Sequence, residues 1–287
     1  MKAIYERELK SYFTGITGYL FIAFLLLFAG IYTMVINLKE SYSNFEYVLS
    51  SLTFIFLIVV PVLTMRTIAE ERRQKTDQLL YTLPVGMTKI VLAKYFSMVT
   101  ILAIPVAILC FYPLILSLYG SIYLPTAYCA LAGFFLLGSA LIAVGMFVSS
   151  LTENQAVAAV LCFIVLLVNF FVSALSSYMS STPRASFIAI TIVIVVIGVI
   201  IWLMTKNGFF AVMLGLVLEI ALAVLLIISS GTLGGLVPAV IGKLSLFSQF
   251  DNFTSGIFDL TGVTYFVMVS AALVFLTVQS LEKRRWN

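Results

Sequence analysis

The side chains able to do chemistry in this chain are few, and the common catalytic sets are missing. There is no histidine among the 287 residues, which excludes His-based acid–base catalysis, a Ser-His-Asp triad and His-ligated zinc. Cys110, Cys129 and Cys162 lie far apart, each inside an apolar run. They read as packing residues, not as a disulfide or a metal site. No G-x-x-x-x-G-K-[ST] phosphate loop occurs: the only Gly-Lys pair, Gly242-Lys243, is followed by Leu244.

What remains is charge, and it is unevenly placed. Of 16 basic and 12 acidic residues, nine fall between Arg66 and Lys94. The stretch from Arg66 to Asp77 is polar and helix-prone, and Glu70, Glu71, Arg72 and Arg73 sit at its centre. Leu79, Leu80, Tyr81 and Leu83 then add a short apolar ridge, Pro84 breaks the helix, and Gly86 permits a turn. Such a segment is either a solvated loop whose leucines touch the membrane surface or a docking helix for a soluble partner. Thr76, an N-cap candidate followed by Asp77 and the paired leucines, favours a short separate helix. Two further polar residues lie in apolar runs. Glu219 is the only acid well inside one, where a charge costs roughly 2.5–3.5 kcal/mol on insertion scales; it is either a translocation or cation-contacting residue or a neutral structural hydrogen-bonding group. Asn169 reads as interhelical glue ahead of a substrate ligand.

The elements that must position these residues are membrane helices. The chain is 62% hydrophobic and 10% charged, whereas a soluble domain carries about 45–50% and about 25%. The net charge of +4 is not gathered on a soluble domain, which argues against nucleic acid. Stretches free of charge, each needing about 20 residues to cross a bilayer, predict an all-α polytopic membrane protein with eight spans in a single domain, 1–287. They fall at 11–38, 47–65, two within 95–152 divided near Tyr119–Pro125, 154–177, 185–205, 209–229 and 262–281. With the N-terminus cytoplasmic, thirteen bases fall inside and only Lys39, Arg184 and Lys243 outside, a positive-inside bias that places both termini in the cytoplasm. The N-terminus does not read as a cleavable signal peptide. Instead, residues 1–14 predict an amphipathic helix on the membrane surface, with Met1, Tyr5, Leu9, Tyr12 and Phe13 opposite Glu6, Arg7 and Lys10. Pro105 and Pro113 predict a bent third span, and Ser139/Ala143 and Gly145/Ser149 predict close helix packing in the fourth. The apolar outer stretch 230–261 predicts short re-entrant helices.

Three of these motifs together resemble the permeases of type-2 ATP-binding-cassette (ABC) exporters, and within them the gliding-motility-type subgroup. Glu70-Glu71-Arg72-Arg73 followed by Thr76-Asp77-Gln78-Leu79-Leu80 and Thr82-Leu83-Pro84-Val85 is similar to that family's coupling helix, in a cytoplasmic loop covering 66–90. Arg7-Glu8-Leu9-Lys10-Ser11-Tyr12-Phe13 is similar to its elbow helix, and 259–286 to its last span and basic tail. Lys75 stands where the family usually has Gly, and Asp77 where it usually has Glu. The family core has six spans, so 185–229 reads as an inserted hairpin.

The resemblance implies a membrane subunit with no cofactor of its own. ATP and Mg would be bound by a cytoplasmic ABC ATPase subunit that pushes on Glu70–Pro84. A second permease subunit, identical or related, would complete the pathway, and an extracytoplasmic accessory subunit is a further partner class. A self-contained secondary transporter would need ionisable groups in two related halves, and only Glu219 is offered. An intramembrane enzyme would need clustered catalytic side chains. A non-transporting membrane subunit that relays ATPase motion to an extracytoplasmic partner would carry the same coupling parts.

Overall fold

Long apolar runs without interior charge become helices because helix formation satisfies every backbone polar group within the segment. The computed structural model describes residues 2–75, 86–120, 122–178 and 245–285, with the isolated positions 191 and 242. Among these residues all regular structure is helical. The order is α1 (Lys2–Thr14), α2 (Ile16–Thr33, running into a π-helical turn, Met34–Lys39), α3 (Glu46–Thr64), α4 (Ala69–Arg73), α5 (Met87–Leu109), α6 (Phe111–Ser117), α7 (Leu124–Leu151), α8 (Gln155–Tyr178), α9 (Leu246–Thr254) and α10 (Leu260–Arg285). Among the described residues, six helical stretches are long and apolar enough to cross a membrane: Ile16–Lys39, Glu46–Arg73, Met87–Ser117, Leu124–Leu151, Gln155–Val172 and Leu260–Lys283. They coincide with six of the eight expected spans. The other two, 185–205 and 209–229, lie outside the described residues, as do the expected hairpin 185–229 and Glu219.

The chain divides into two units, one of Met1–Asn169 with Leu246–Asn287 and one of Phe170–Ser245. Of the second unit, the described structure is chiefly the last turns of α8. In the first, α7 is the central post. Its glycines let neighbours approach closely: a Cβ at Gly138 would lie 2.7 Å from Leu102 Cδ2, and one at Gly145 would lie 2.8 Å from Thr64 Cβ. This is small-residue packing of the kind that replaces the hydrophobic driving force between helices in lipid. The third span is broken at Cys110. Pro113 explains the break, since its ring nitrogen cannot donate to the Leu109 carbonyl one turn earlier; Pro105, by contrast, lies within the continuous helix α5.

Hydrogen bonds fix which helix ends meet. The end of α3, the start of α5, the end of α7, the start of α8 and the end of α10 gather with α1 at one end of this unit, here the polar end. There Ser280 Oγ donates to the Ser150 carbonyl at 3.4 Å and Gln155 Nε2 to Glu70 at 3.4 Å, so α1 and the end of α10 share a side. At the opposite end Thr126, on the first turn of α7, pairs with the buried Glu46 carboxylate at the start of α3. The short helix α9 seats Leu246, Phe247, Phe250 and Phe253 inward at that end. Phe56, Phe134 and Phe250 form an aromatic column there, with ring centroids 4.5 Å and 6.3 Å apart.

Candidate functional site

One extended residue, Gly15, separates α1 from α2, which folds the N-terminal helix back against the first half of α5. Its apolar and aromatic face does the packing. Tyr5 Oη lies 2.8 Å from Thr100 Oγ1. Tyr12 is buried, donates to the Leu63 carbonyl at 3.3 Å and lies 3.1 Å from Thr67 Oγ1. Burial pushes the Tyr12 phenol well above its ordinary pKa, which holds it as a neutral donor. Phe13 meets Tyr19 edge to face. A helix therefore forms over Lys2–Thr14, within the expected 1–14, and it leans on the bundle through these hydrogen bonds.

Of the expected polar helix from Arg66 to Asp77, residues 66–75 are described. After α3 ends at Thr64, residues 65–68 make a turn, and among the described residues the helix resumes for Ala69–Arg73. Ser149 of α7 explains the restart, because its Oγ accepts the otherwise unpaired N–H groups of Ile68 at 3.4 Å and Ala69 at 3.2 Å. Lys75 explains the stop. It adopts φ +56, the left-handed conformation that terminates helices and that glycine takes without strain. This is the position where the resemblance leads one to expect Gly.

The charged quartet in α4 turns mostly inward. Arg72 is buried, Glu70 and Glu71 are half-buried, and only Arg73 is exposed. Glu70 is gripped by Arg66 at 2.6 Å and 3.2 Å in a two-pronged pair, and it also accepts from Gln74 at 3.3 Å and from Gln155. Glu71 faces Lys94 of α5, at 2.7 Å, and Arg7 of α1, at 3.5 Å. Glu8 completes the group, 3.2 Å from Lys94 and 2.8 Å from Arg7. The Glu8 hydrogen bond raises the Arg7 pKa, which keeps its guanidinium charged throughout. Four alternating charges from three helices thus close a ring, and Lys94 lies at its buried corner.

Of the other expected site residues, Leu9 and Phe13 are half-buried on α1. Asn169 Oδ1 accepts the Leu246 N–H at 3.0 Å, which seats the start of α9 on α8. Thr76, Asp77, Leu79, Leu80 and Pro84 lie outside the described residues. Lys94 and Thr67 were missed as site residues, since each had counted only as part of a charged loop or its flank. A usable signal did exist for Lys94: it is the last charge before a long charge-free run and lies among Val91, Leu92, Ala93, Tyr95 and Phe96, where a lysine needs a partner.

A family model described as ABC-2 family transporter protein matches residues 9–120. That stretch runs from the last turns of α1 through the first three spans and includes the whole segment between α3 and α5. No curated protein matches the chain. Over residues 9–120 the chain is similar to ABC-2 family transporters, which supports an ABC-2 type permease: a multi-pass membrane subunit whose working context includes an ABC ATPase.

Proposed function

We propose that the chain is the transmembrane permease subunit of an ABC exporter, driven by ATP hydrolysis on separate cytoplasmic ATPase subunits. The observation that carries this reading is the family match over 9–120, the same stretch in which the α3–α5 connection is built into the bundle by Ser149, Arg66 and Lys94. Two such permeases, identical or related, assemble with two ATPases that hold ATP and Mg. Closure of the ATPases on nucleotide presses on the Glu70–Pro84 segment, and the elbow helix α1 shares the displacement. In this reading the ATPase docks on the exposed Arg73 and on the leucines of the sequence-derived ridge, Leu79, Leu80 and Leu83.

The polar end is the cytoplasmic end in this reading. Thirteen of sixteen bases fall on that side of the sequence-derived topology, and the ion pairs of Arg7, Arg66 and Lys94 all lie there. The protein then sits in a bacterial inner membrane with both termini cytoplasmic. Its six core spans carry the hairpin 185–229 as an insertion, its outer segment 230–261 caps the pathway, and its subgroup is the gliding-motility type.

Purification from its native membrane decides the matter: a cytoplasmic Walker-motif ATPase accompanies the chain, and repeated purification without one overturns the reading. Replacing Leu79 and Leu80 by Asp abolishes stimulation of that ATPase while the permease keeps its melting temperature. Unchanged association and stimulation in the L79D/L80D variant would remove the ridge from the docking surface.

A further inference from the structure

We infer that Lys94 is a positioning residue that ties the stem of the α4–α5 connection shut and binds it to α1, so that the three helices move as one body. The inference rests on the permease reading for its consequence, though its geometry stands alone. An ammonium group can serve several partners at once: Lys94 Nζ donates to Glu71 Oε1 at 2.7 Å and to the Thr67 carbonyl at 3.1 Å, and it forms an ion pair with Glu8 Oε1 at 3.2 Å. Two belong to the chain entering the 76–85 segment and one to α1, while Lys94 itself is on the helix leaving that segment. The segment therefore departs and returns through a stem that one side chain closes.

The exposure of the ring falls steadily inward, from 56% at Arg7 through 20% at Glu71 and 12% at Glu8 to 2% at Lys94. Arg7 and Lys94 reach the same oxygen of Glu8 and the same oxygen of Glu71. Sliding α1 along α4 would thus break pairs at both acids together. Buried ion pairs add little net stability over apolar packing of the same shape, and their best-attested use is to fix register. Lys94 cannot extend to water from this depth, so its register with Glu8 and Glu71 is fixed by the pairing itself. A push delivered to 76–85 then cannot be absorbed by splaying α4 from α5. It must displace α1, the end of α3 and the start of α5 together.

The test uses the full chain with its three cysteines replaced by serine and spin labels at two exposed pairs, Lys10→Cys with Gln74→Cys and Gln74→Cys with Lys89→Cys. The first pair reports α1 against α4 and the second reports the stem. Two charge-balanced variants are compared. K94M/E8Q removes the clamp, so both distance distributions broaden. R7Q/E8Q leaves Lys94 on Glu71 and Thr67, so the first distribution broadens and the second stays narrow. If K94M/E8Q leaves both narrow, or R7Q/E8Q opens the stem, the assignment is overturned; should K94M/E8Q fail to fold, the R7Q/E8Q result decides alone. With the ATPase present, K94M/E8Q lowers stimulated kcat about tenfold while KM for ATP changes little, the signature of lost coupling and not of lost nucleotide binding. The distances are read without any ATPase, so failure to find one refutes the permease reading and leaves the clamp to be judged on the labels.

Discussion

The two ends of the described bundle are held together by opposite kinds of chemistry. At the polar end, α1, α4, α5 and α7 meet through ion pairs and hydroxyl–backbone bonds: Lys94 with Glu8 and Glu71, Arg66 with Glu70, Ser149 with the start of α4. At the far end, apart from the buried Glu46–Thr126 pair, α3, α7, α9 and α10 meet chiefly through aromatic rings and glycines. Phe253 is fully buried and so close to two glycines that a Cβ at Gly133 would lie 2.6 Å from its Cγ, and one at Gly262 would lie 2.7 Å from its Cε2. Polar contacts can exchange partners over a small displacement. Ring-on-glycine packing has no such intermediate, because a ring either fills its slot or leaves a void. In the proposed cycle, the first end suits receipt of a push and the second suits a barrier that is shut or open.

The largest effect that would break this contrast is at the far end. F253A removes a ring from a slot shaped by two glycines, and Phe→Ala in a packed core costs on the order of 3–5 kcal/mol. Thermal unfolding in detergent should show a large fall in melting temperature. G133A alone overpacks the slot at about 1–3 kcal/mol, but in the F253A background it should cost less, because the colliding ring is gone. Additive losses in this double-mutant cycle would mean that the Gly133–Phe253 contact does not close the slot.

A smaller effect is expected at the polar end from Y12F. The ring stays and fills the same space, and only the hydroxyl's contacts with Leu63 and Thr67 are lost. One buried hydrogen bond of this kind is worth about 1 kcal/mol. Chemical unfolding of wild type against Y12F reads that loss. A loss as large as that of F253A would show that the polar end is as rigid as the far one, and the contrast would fail.

How much of this was legible beforehand follows from the range of the interactions. Spans were readable because absence of charge over about 20 residues is a local property, and six of them stand where the sequence put them. The left-handed stop at Lys75 was half-readable, since the resemblance marked the site as one where glycine is usual. The late start of the expected Arg66–Asp77 helix, at Ala69, was not, because it is set from outside by Ser149, far along the chain on α7. Nor was the inward turn of Glu70, Glu71 and Arg72. A run of charges looks solvated in sequence, whereas a lysine brought in from α5 and an arginine from α1 give Glu71 a reason to face the bundle. The phenylalanine slot was invisible for the same reason: its glycines and its ring come from three different helices.

The smallest effect concerns the acid that starts α10, and it separates packing from titration at the far end. Asp259 is partly exposed, and its Oδ1 accepts the Thr261 N–H at 2.8 Å, with Asn252 Nδ2 at 3.5 Å from Oδ2. These bonds, led by that to Thr261, favour the ionised form and hold the carboxyl below its ordinary range. Because folding lowers this pKa, the stabilisation is complete above the ordinary aspartate value and drains away as pH falls through the lowered one. Asn at this position can still cap the helix but does not titrate. Melting temperatures measured for wild type and D259N from about pH 6 down to about pH 3, spanning the usual aspartate range near 3.9, should therefore diverge at the upper end and converge at the lower. F253A should instead shift the whole profile by a similar amount at every pH, since no titrating group is altered. If D259N also shifts the profile uniformly, the start of α10 is held by cap geometry and not by charge, and the far end responds to pH at some other group. Asp251 on α9, whose carboxyl burial pushes up, is then the residue to replace.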